Sequence, residues 1–528
     1  MGRVSRHALG WLVGATLVSS VANGPHAVAV AAWLGPFLWL RALHMLPVRT
    51  GAVLGGLFYS AATMVAARGM IPVPTWLYVL TAVAIGMGAL VPYALQRGLS
   101  PRLPTAMIPL LLPTLATALE FIGGRVSPFG SFGAVAYTQM GCLTLLQLAA
   151  LVGLPGITFL VYVPAALAHW LLDHQPPRPQ VRMGLACTLL LFLGVWSFGQ
   201  VKLRPSMPPT PLVSIAIVSS PLQERLSQLL APAYTGGDPS AVDWSAALPQ
   251  GTLVIQDLLQ RSESAARAGA RIIVWPETAA VVATEDEPAL QKAAGHLARE
   301  QGVYLAVALG VVRHRQRPWP DSDGALDNKM ILLDPQGNVV AQYRKSIPVP
   351  GPEAALLVPG GGAIPIVKTR YGRLAMAICF DLDFPHLMRR AAGADILLVA
   401  AQDWAGISSY HAEMSRLRAI EGGFAVVRAA HSGRNLVADA QGRVLSAQDD
   451  AAITAQMDRG LRAEVPTQGH ATLYSRCGDV LGWLAVAAML LMIGAALVRS
   501  ARDCTRHINP SPETQRPCGT EAPHATCS

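Results

Sequence analysis

The sequence predicts a multi-pass membrane protein that carries an α/β domain between its last two hydrophobic segments. Composition is the first reason: 52% of the 528 residues are hydrophobic and 14% are charged, so much of the chain does not face water. The second reason is a series of hydrophobic segments near the length that crosses a bilayer core. The third is the stretch from 203 to 475, in which helix and strand patterns alternate.

The hydrophobic segments predict about eight transmembrane spans. The 140–172 segment is long for one span and contains Gly153, Pro155 and Gly156, which predicts a kinked, broken or partly re-entrant helix. The first segment follows two arginines, as a signal peptide would, but the segments after it favour a retained span. The eight segments lie near 8–22, 26–45, 50–67, 75–96, 105–122, 140–172, 181–199 and 479–498.

Arginine placement predicts how these spans are oriented. Cytoplasmic loops of membrane proteins carry an excess of Lys and Arg. We therefore expect both termini in the cytoplasm and the α/β domain on the opposite side, although a miscount by one span would invert this orientation. The net charge of +9 then reflects topology and headgroup contact, because no basic stripe with interleaved aromatics indicates nucleic-acid binding. The arginine-rich alternate loops hold Arg3 and Arg6, Arg41 and Arg49, Arg97 and Arg102, Arg178 and Arg182, and Arg499, Arg502 and Arg506.

The chain divides into four predicted parts. Residues 1–202 hold about seven spans, 203–475 the α/β domain, 476–500 the last span, and 501–528 a cytoplasmic tail whose composition predicts disorder. Within the α/β domain we expect helices at 252–268, 288–301 and 408–422, and strands at 213–218, 271–275, 303–309, 330–333, 374–378, 396–400 and 425–428.

Three residues have side chains that suit covalent acyl chemistry, and each comes at or soon after the end of a short apolar run or a strand pattern. Cys379 ends one run, Glu277 follows another, and Lys345 comes after a turn signal and a short strand pattern. Their side chains would leave strand ends, where a rigid sheet holds reacting groups in place. A thiol needs a base or a cation to become a nucleophile, and Glu277 and Lys345 supply both. The alternatives are an inert core cysteine, a turn carboxylate and a solvated lysine.

These motifs resemble a known family. In chain order they are Trp275-Pro276-Glu277, Tyr343-Arg344-Lys345 and Ile378-Cys379-Phe380-Asp381. They resemble the Glu-Lys-Cys triad of the nitrilase superfamily of carbon-nitrogen hydrolases. Because hydrophobic segments flank them on both sides, the chain most resembles the apolipoprotein N-acyltransferase branch, over roughly residues 105 to 500. The resemblance implies a nitrilase-like α-β-β-α sandwich inserted in a polytopic bundle of about eight transmembrane helices.

The resemblance also implies an activity and a location. Cys379 would take a fatty acyl group from a phospholipid as a thioester, and the α-amine of the N-terminal S-diacylglyceryl-cysteine of an apolipoprotein would accept it. The enzyme would lie in the bacterial inner membrane with its catalytic domain in the periplasm. The alternatives are a membrane-tethered amidase or nitrilase, in which water discharges the thioester, and a non-enzymatic membrane protein with an inactivated nitrilase fold.

Supporting roles are implied for several further residues. The resemblance makes Glu353 a supporting acid or a lysine-orienting group, although it could equally be a polar loop residue. The backbone N–H of Phe380 would help Lys345 to stabilise an oxyanion. Asp381 stands where the family usually has Glu, one methylene longer, which leaves the identity of the acyl acceptor open. Trp404, Arg418 and Glu421 are expected to brace the site.

No metal or organic cofactor is implied. The seven cysteines show neither a CxxC pair nor a His-rich spacing, so the sequence indicates no zinc site and no disulfide framework. His411 could be a general base, but a packed or surface imidazole explains it more simply. Glu120, near the end of a predicted span, is either functional or a helix-end carboxylate.

Overall fold

The computed structural model describes residues 5–205, 210–313, 324–455 and 460–508. Residues 501–508 of the predicted disordered tail are helical, and the rest of the tail lies outside the described residues. The chain begins as a bundle of helices, continues as an α/β domain, and ends in one long helix. The helices before the α/β domain are α1 Arg6–Ser19, α2 Ala29–His44, α3 Val48–Ala66, α4 Thr75–Ala89, α5 Val91–Leu99, α6 Ile108–Val126, α7 Leu143–Leu146, α8 Ala149–His174 and α9 Arg178–Lys202.

Among the described residues, five helical segments are long and apolar enough to cross a membrane. They correspond to the last five of the eight predicted spans. The first three predicted spans form helices of 14, 16 and 19 residues that do not meet the same standard. The count of eight therefore stays a prediction. The five segments are Thr75–Arg102, Thr105–Val126, Ala149–His174, Arg178–Lys202 and Val480–Arg502.

The long 140–172 segment is broken, as the sequence predicts. A short helix, α7, precedes α8, and Gly153 inside α8 has φ 67° and ψ −166°, which is not helical. A Cβ on Gly153 would lie 2.5 Å from the ring atom Cε2 of Tyr474. Only glycine combines this backbone with such a close approach.

The α/β domain has two mixed β-sheets packed face to face. Its helices are α10 Gln223–Gly236, α11 Trp244–Arg267, α12 Glu287–Gln301, α13 Pro352–Leu356, α14 Pro385–Met388, α15 Ser408–Gly422, α16 Asp450–Ala455 and α17 Leu473–Cys477, followed by the final helix α18 Val480–Ile508. Its strands are β1 Leu212–Ile217, β2 Ile272–Val274, β3 Ala280–Ala283, β4 Tyr304–Val312, β5 Leu326–Leu333, β6 Val339–Arg344, β7 Ile366–Thr369, β8 Gly372–Ile378, β9 Ile396–Gln402, β10 Ala425–His431, β11 Arg434–Ala438, β12 Val444–Asp449 and β13 Leu461–Pro466.

The two sheets form the middle of a four-layer arrangement. The first sheet has the order β13-β1-β2-β4-β5-β6, with β3 paired to β4, and the second has the order β12-β11-β10-β9-β8-β7. Apolar residues of both sheets share one core, while α10, α11 and α12 cover the outer face of the first sheet. Helix α15 packs against the second sheet and also against the membrane helices. Strands that are covered on both faces have continuous apolar sequences. Residues 374–378 and 396–400 could therefore be predicted as strands.

The seven predicted strands and three predicted helices of this domain are all present, with some boundaries shifted. Helix α15 has the predicted bounds, whereas α11 begins at Trp244, eight residues before its predicted start. The sequence did not predict β3, β7, β11, β12, β13 or the helix α10. Most of the missed strands are short and lie at sheet edges, where half-exposed residues interrupt the apolar pattern.

Polar contacts distinguish the two opposite ends of the helical bundle. At one end, Arg41 pairs with Asp173, and Arg102 donates to Ser500 Oγ at 2.8 Å. These residues belong to loops predicted to be cytoplasmic. At the other end the helices meet the α/β domain, where Gln147 Nε2 donates to the Gln441 carbonyl at 2.8 Å. The α/β domain thus lies at the end opposite the arginine-rich loops.

Candidate active site

The structure brings Glu277 and Lys345 into direct contact. Both follow strands of the first sheet, because Glu277 comes three residues after β2 and Lys345 directly after β6. Lys345 Nζ lies 2.9 Å from Glu277 Oε1 and 2.7 Å from Glu353 Oε1. Asn328, a residue of β5 that the sequence analysis did not single out, donates from Nδ2 to Glu277 Oε1 at 2.7 Å. Lys345 is therefore held between two carboxylates.

Cys379 enters the same site from the second sheet. It follows β8 and begins a 3-10 turn, Cys379–Asp383, with a backbone φ of 47°. A left-handed conformation is costly for a residue with a Cβ and persists only where its surroundings hold it. The thiol Sγ lies 3.5 Å from the carbonyl oxygen of Gln402 at the end of β9. The backbone N–H of Glu277 donates to the Ala401 carbonyl at 3.3 Å, so the two sheets meet at this point.

The charges of this cluster act on one another. Burial raises the pKa of the Cys379 thiol well above its ordinary value; Glu277 acts in the same direction, whereas Lys345 opposes it. Burial alone would lower the pKa of Lys345, but Glu277 and Glu353 together hold it well above the usual value. Burial also raises the pKa of Glu353, against the effect of Lys345. The lysine is thus a fixed cation, and the resting thiol is protonated.

Asp381 ties the cysteine turn to the lysine loop. Its Oδ1 accepts hydrogen bonds from the backbone N–H groups of Ser346 and Ile347, at 3.1 and 2.9 Å, and its Oδ2 accepts from Tyr343 Oη at 2.7 Å. Burial raises the pKa of Asp381 to about 7, and the hydrogen bond from Tyr343 opposes that rise. This carboxyl group therefore positions the chain on both sides of Lys345. Its hydrogen bonds hold the cysteine turn against the lysine loop.

A second buried ionic cluster lies on the other side of Cys379. His411 Nδ1 lies 2.9 Å from Asp403 Oδ1, and His411 Nε2 lies 3.1 Å from Asp383 Oδ1. Arg428 Nη2 donates to both oxygens of Asp403, at 2.9 and 2.8 Å. Burial would lower the pKa of His411, but the two aspartates raise it to about 9. His411 is therefore a packed imidazolium, as its simpler interpretation anticipated.

A known protein family matches the α/β part of the chain. The carbon-nitrogen hydrolase family matches residues 239–467, which include Glu277, Lys345 and Cys379. This α/β part is a carbon-nitrogen hydrolase domain. The match runs from strand β2 to strand β13 and includes both ionic clusters around the cysteine.

Two relatives resemble the chain far beyond that domain. An apolipoprotein N-acyltransferase of Geobacter metallireducens is 27% identical over 490 residues, 85% of this chain and 86% of its own. One of Bradyrhizobium diazoefficiens is 27% identical over 459 residues, 82% of this chain and 79% of its own. A deaminated glutathione amidase of Mus musculus is 35% identical, but over 33% of this chain and 59% of its own. The predicted resemblance to the N-acyltransferase branch is confirmed.

The remaining predicted residues join the hydrolase domain to the helices. Arg418 and Glu421, three residues apart on α15, pair at 2.9 Å. Glu421 Oε1 also accepts from the backbone N–H of Leu154 at 3.1 Å, directly after the break in α8. Burial raises the pKa of Glu421 to about 7, against the effect of Arg418. Arg418 and Glu421 therefore brace the junction with the membrane helices.

Trp404 and Phe380 differ in what they contact. Trp404 Nε1 donates to the carbonyl of Gly69, between α3 and α4, at 3.1 Å, so Trp404 also joins the two parts of the molecule. Phe380 is buried beside Cys379, and its ring packs edge-on against Phe384 at 5.3 Å. Its side chain fills the core directly beside the cysteine turn.

A cavity of about 270 Å³ lies between the helices and the residues Pro385 and His386, which follow the cysteine turn. Glu120 and Arg125 of α6, Leu154 of α8, and Tyr474 line it. It also reaches Ser131, whose Oγ and backbone N–H both donate to the carbonyl of Asp383 at 2.7 Å. One wall is thus attached to the turn that carries Cys379, and α6 and α8, which are long and apolar enough to cross a membrane, contribute other walls.

Three residues near Cys379 were given no role by sequence reasoning: Asn328, Asp383 and Asp403. Asn328 lies in a buried strand between Asp327 and Lys329, and three consecutive polar residues in such a strand were a usable signal. Asp383 and Asp403 follow strands in loops, where an acidic residue is unremarkable, so their part in the cluster was visible only in the fold.

Proposed function

We propose that the protein is an N-acyltransferase that moves a fatty acyl group from a phospholipid to the N-terminal amine of a lipidated apolipoprotein. Glu277, Lys345 and Cys379 carry the reaction in this proposal. The observation that carries it is the buried contact between Lys345 and Glu277 beside the Cys379 thiol, in a domain built against apolar helices. The extent of the N-acyltransferase similarity, which includes those helices, favours this activity over a soluble amidase reaction.

In the first step, Cys379 attacks the ester carbonyl of the phospholipid. Glu277 accepts the thiol proton; its Oε1 is engaged by Lys345 and Asn328, so Oε2 is the atom placed to take it. The tetrahedral oxyanion is stabilised by the Lys345 ammonium and the Phe380 N–H. When the intermediate collapses, the ester C–O bond breaks, and the lysophospholipid alcohol leaves with the proton from Glu277. Cys379 is now a thioester.

In the second step, the α-amine of the S-diacylglyceryl-cysteine attacks the thioester. Glu277 accepts a proton from the amine, an amide forms, and the thiolate leaves and regains that proton. Such alternating transfer predicts ping-pong kinetics. Because the resting thiol has a raised pKa, proton removal by Glu277 is part of each cycle rather than a state of the free enzyme.

The bilayer location of the donor gives the helices a role. Moving an acyl chain into water costs about 0.8 kcal/mol per methylene group, so a site open to the membrane avoids that cost. The 270 Å³ cavity lined by α6, α8 and the start of α14, just after the cysteine turn, is the proposed route for the donor. Arg125 at its wall could contact a phosphate, because arginine recognises phosphate oxygens in pairs.

The location proposed is the bacterial inner membrane with the hydrolase domain in the periplasm. The arginine-rich loops lie at the opposite end of the bundle from that domain. Exposed Cys477, in α17 on the domain side, offers a test with a membrane-impermeant thiol reagent. Cells whose outer membrane is permeable should label Cys477 without lysis, and labelling only after lysis would reverse the orientation.

The activity is tested by mixing the full-length purified protein with phospholipid vesicles and measuring its mass. We expect one acyl adduct on Cys379 that persists until an S-diacylglyceryl-cysteine peptide is added. The Cys379→Ser variant should not form a thioester, while Cys477→Ser, which removes an exposed cysteine, should form the adduct normally. Rapid release of free fatty acid without the peptide would instead identify the membrane-tethered hydrolase, and absence of any adduct would favour the non-enzymatic alternative.

A further inference from the structure

A second cluster of ligand-type side chains lies at the end of the bundle that carries the arginine-rich loops. His44 is the last residue of α2, and His169 and Asp173 lie one turn apart near the end of α8. One ligand atom from each of the three lies within 4.8 Å of the others. This group is separate from the hydrolase domain and takes no part in the proposed acyl transfer.

His169 is the residue that points to a ligand. Its side chain is 1% exposed, and within the described residues neither ring nitrogen has a hydrogen-bond partner. Its Nε2 lies 3.4 Å from Asp173 Oδ2, beyond a normal hydrogen bond. Buried polar groups in proteins are nearly always paired, so a buried imidazole with both nitrogens open needs an explanation.

The other two side chains are already oriented towards His169. His44 Nδ1 lies 2.9 Å from the Leu40 carbonyl, which can only accept, so Nδ1 carries the proton and Nε2 keeps its lone pair. This arrangement is typical of metal-binding histidines, whose second nitrogen donates to a carbonyl or carboxylate. Arg41 pairs with Oδ1 of Asp173, which leaves Oδ2 facing His169.

We propose that His44, His169 and Asp173 form a binding site for a divalent transition metal of the Zn²⁺ class. Two imidazoles and one carboxylate are a ligand set that suits Zn²⁺, with water in the fourth position. Asp173 is one-quarter exposed and gives an entry path from the loop side. A bound ion would connect α2 to α8. The ligands come from positions 44 and 169, so no local spacing in the sequence could reveal them.

The test uses full-length protein without a polyhistidine tag, in detergent and in a Cys379→Ser background. That background removes the thiol of a second ligand-type group, Cys379 with Asp403 and His411. Protein equilibrated with Zn²⁺ and passed over a desalting column should retain an equimolar amount by elemental analysis. Co²⁺ should give the visible absorption of a site with nitrogen and oxygen ligands and no thiolate-to-cobalt band. Retention should be lost in His44→Gln and in Asp173→Asn.

A matched control is available on the surface of α12. His296 and Glu300 are also four residues apart, with His296 Nδ1 3.2 Å from Glu300 Oε2, but they are exposed and belong to no ligand cluster within the described residues. The His296→Ala variant should therefore retain the same amount of metal as the parent. Because His169 is buried, its replacement is avoided, and size-exclusion profiles establish that the other variants are folded. Equal retention in the parent and in His44→Gln, or no retention by the parent, overturns the proposal.

Discussion

The two ionic clusters beside Cys379 differ in how their charges are arranged. On the first-sheet side, Lys345 lies between two carboxylates, and Glu277 uses one oxygen, Oε1, to accept from both Lys345 and Asn328. On the second-sheet side, His411 lies between Asp383 and Asp403, and Arg428 occupies both oxygens of Asp403. In the proposed mechanism the first cluster exchanges a proton with the cysteine, while in the second cluster His411, Arg428 and Asp403 bond to one another and Asp383 Oδ2 has no hydrogen-bond partner among the described residues. The comparison shows that charged groups near a nucleophile can have two uses: they can take part in proton transfer, or they can hold the surrounding chain in place.

The largest predicted effect separates the two carboxylates of the first cluster. Glu277→Gln should slow acylation of Cys379 by about 10²- to 10⁴-fold, the usual contribution of a general base. The matched variant Glu353→Gln also removes a carboxylate that contacts Lys345, but this carboxylate is not the proposed base. It should therefore slow acylation by about 10-fold or less. The measurement is the adduct mass against time after quenching. Equal losses in the two variants would show that Glu277 only positions Lys345.

The second cluster should respond mainly in stability. Asp403→Asn leaves the buried Arg428 and His411 cations short of a counter-charge, which costs about 3–5 kcal/mol. The thermal unfolding midpoint should fall accordingly. The control is Glu263→Gln, which breaks an exposed pair with Arg267 and should cost about 0.5 kcal/mol or less. A stable Asp403→Asn protein that is slow to acylate would contradict the division between chemistry and framework.

His411 should make stability depend on pH. Its folded pKa of about 9 lies above the value near 6.5 in an unfolded chain. The stabilisation that its proton provides is therefore complete below about pH 6.5 and is lost as the pH rises towards 9. Unfolding midpoints measured from pH 6 to 9.5 should fall less steeply in His411→Asn than in the parent, whereas exposed His296→Asn should leave the slope unchanged. An unchanged slope in His411→Asn would mean that the imidazole is neutral.

The smallest predicted effect concerns Asn328. Its hydrogen bond to Glu277 Oε1 helps to fix the orientation of the carboxylate that is the proposed base. Asn328→Ser should slow acylation by about 10-fold, since a hydrogen bond to a charged group contributes about 1.5 kcal/mol or more. The same adduct measurement tests it, with Asn338→Ser on the β5–β6 turn as a control that should not change the rate. No change in Asn328→Ser would assign the orientation of Glu277 to Lys345 alone.

Much of the hydrolase domain could be predicted from sequence because its central strands are apolar on both faces. The runs ending near Glu277 and Cys379 marked the strand ends that the fold brings together. The edge strands β12 and β13 could not be predicted, because their exposed residues give no continuous apolar run. Helices α1 to α3 were predicted as spans on hydropathy, but α1 and α2 have only 14 and 16 residues, and α3, with 19 residues, is long enough but not sufficiently apolar.

The active-site prediction depended on motifs, and residues outside motifs were missed for a physical reason. Asp403 was missed because its partner Arg428 is 25 residues away in sequence, and the two pair because β9 and β10 are parallel neighbours. The sequence left open whether Asp381 affects the acyl acceptor; in the structure its carboxyl group accepts hydrogen bonds from the backbone after Lys345. A shorter side chain there is a matter of loop geometry, which a sequence motif does not describe.

The hydrogen bond from Leu154 to Glu421 has a consequence for the whole molecule. It fixes the broken end of a membrane helix to α15, which packs directly on the second sheet. A bilayer that is thicker or thinner than the apolar length of α8 would change the tilt of that helix. That tilt would reach the sheet through Glu421 and the packing of α15 against α8, so lipid composition becomes a variable to control whenever this enzyme's kinetics are compared between vesicles.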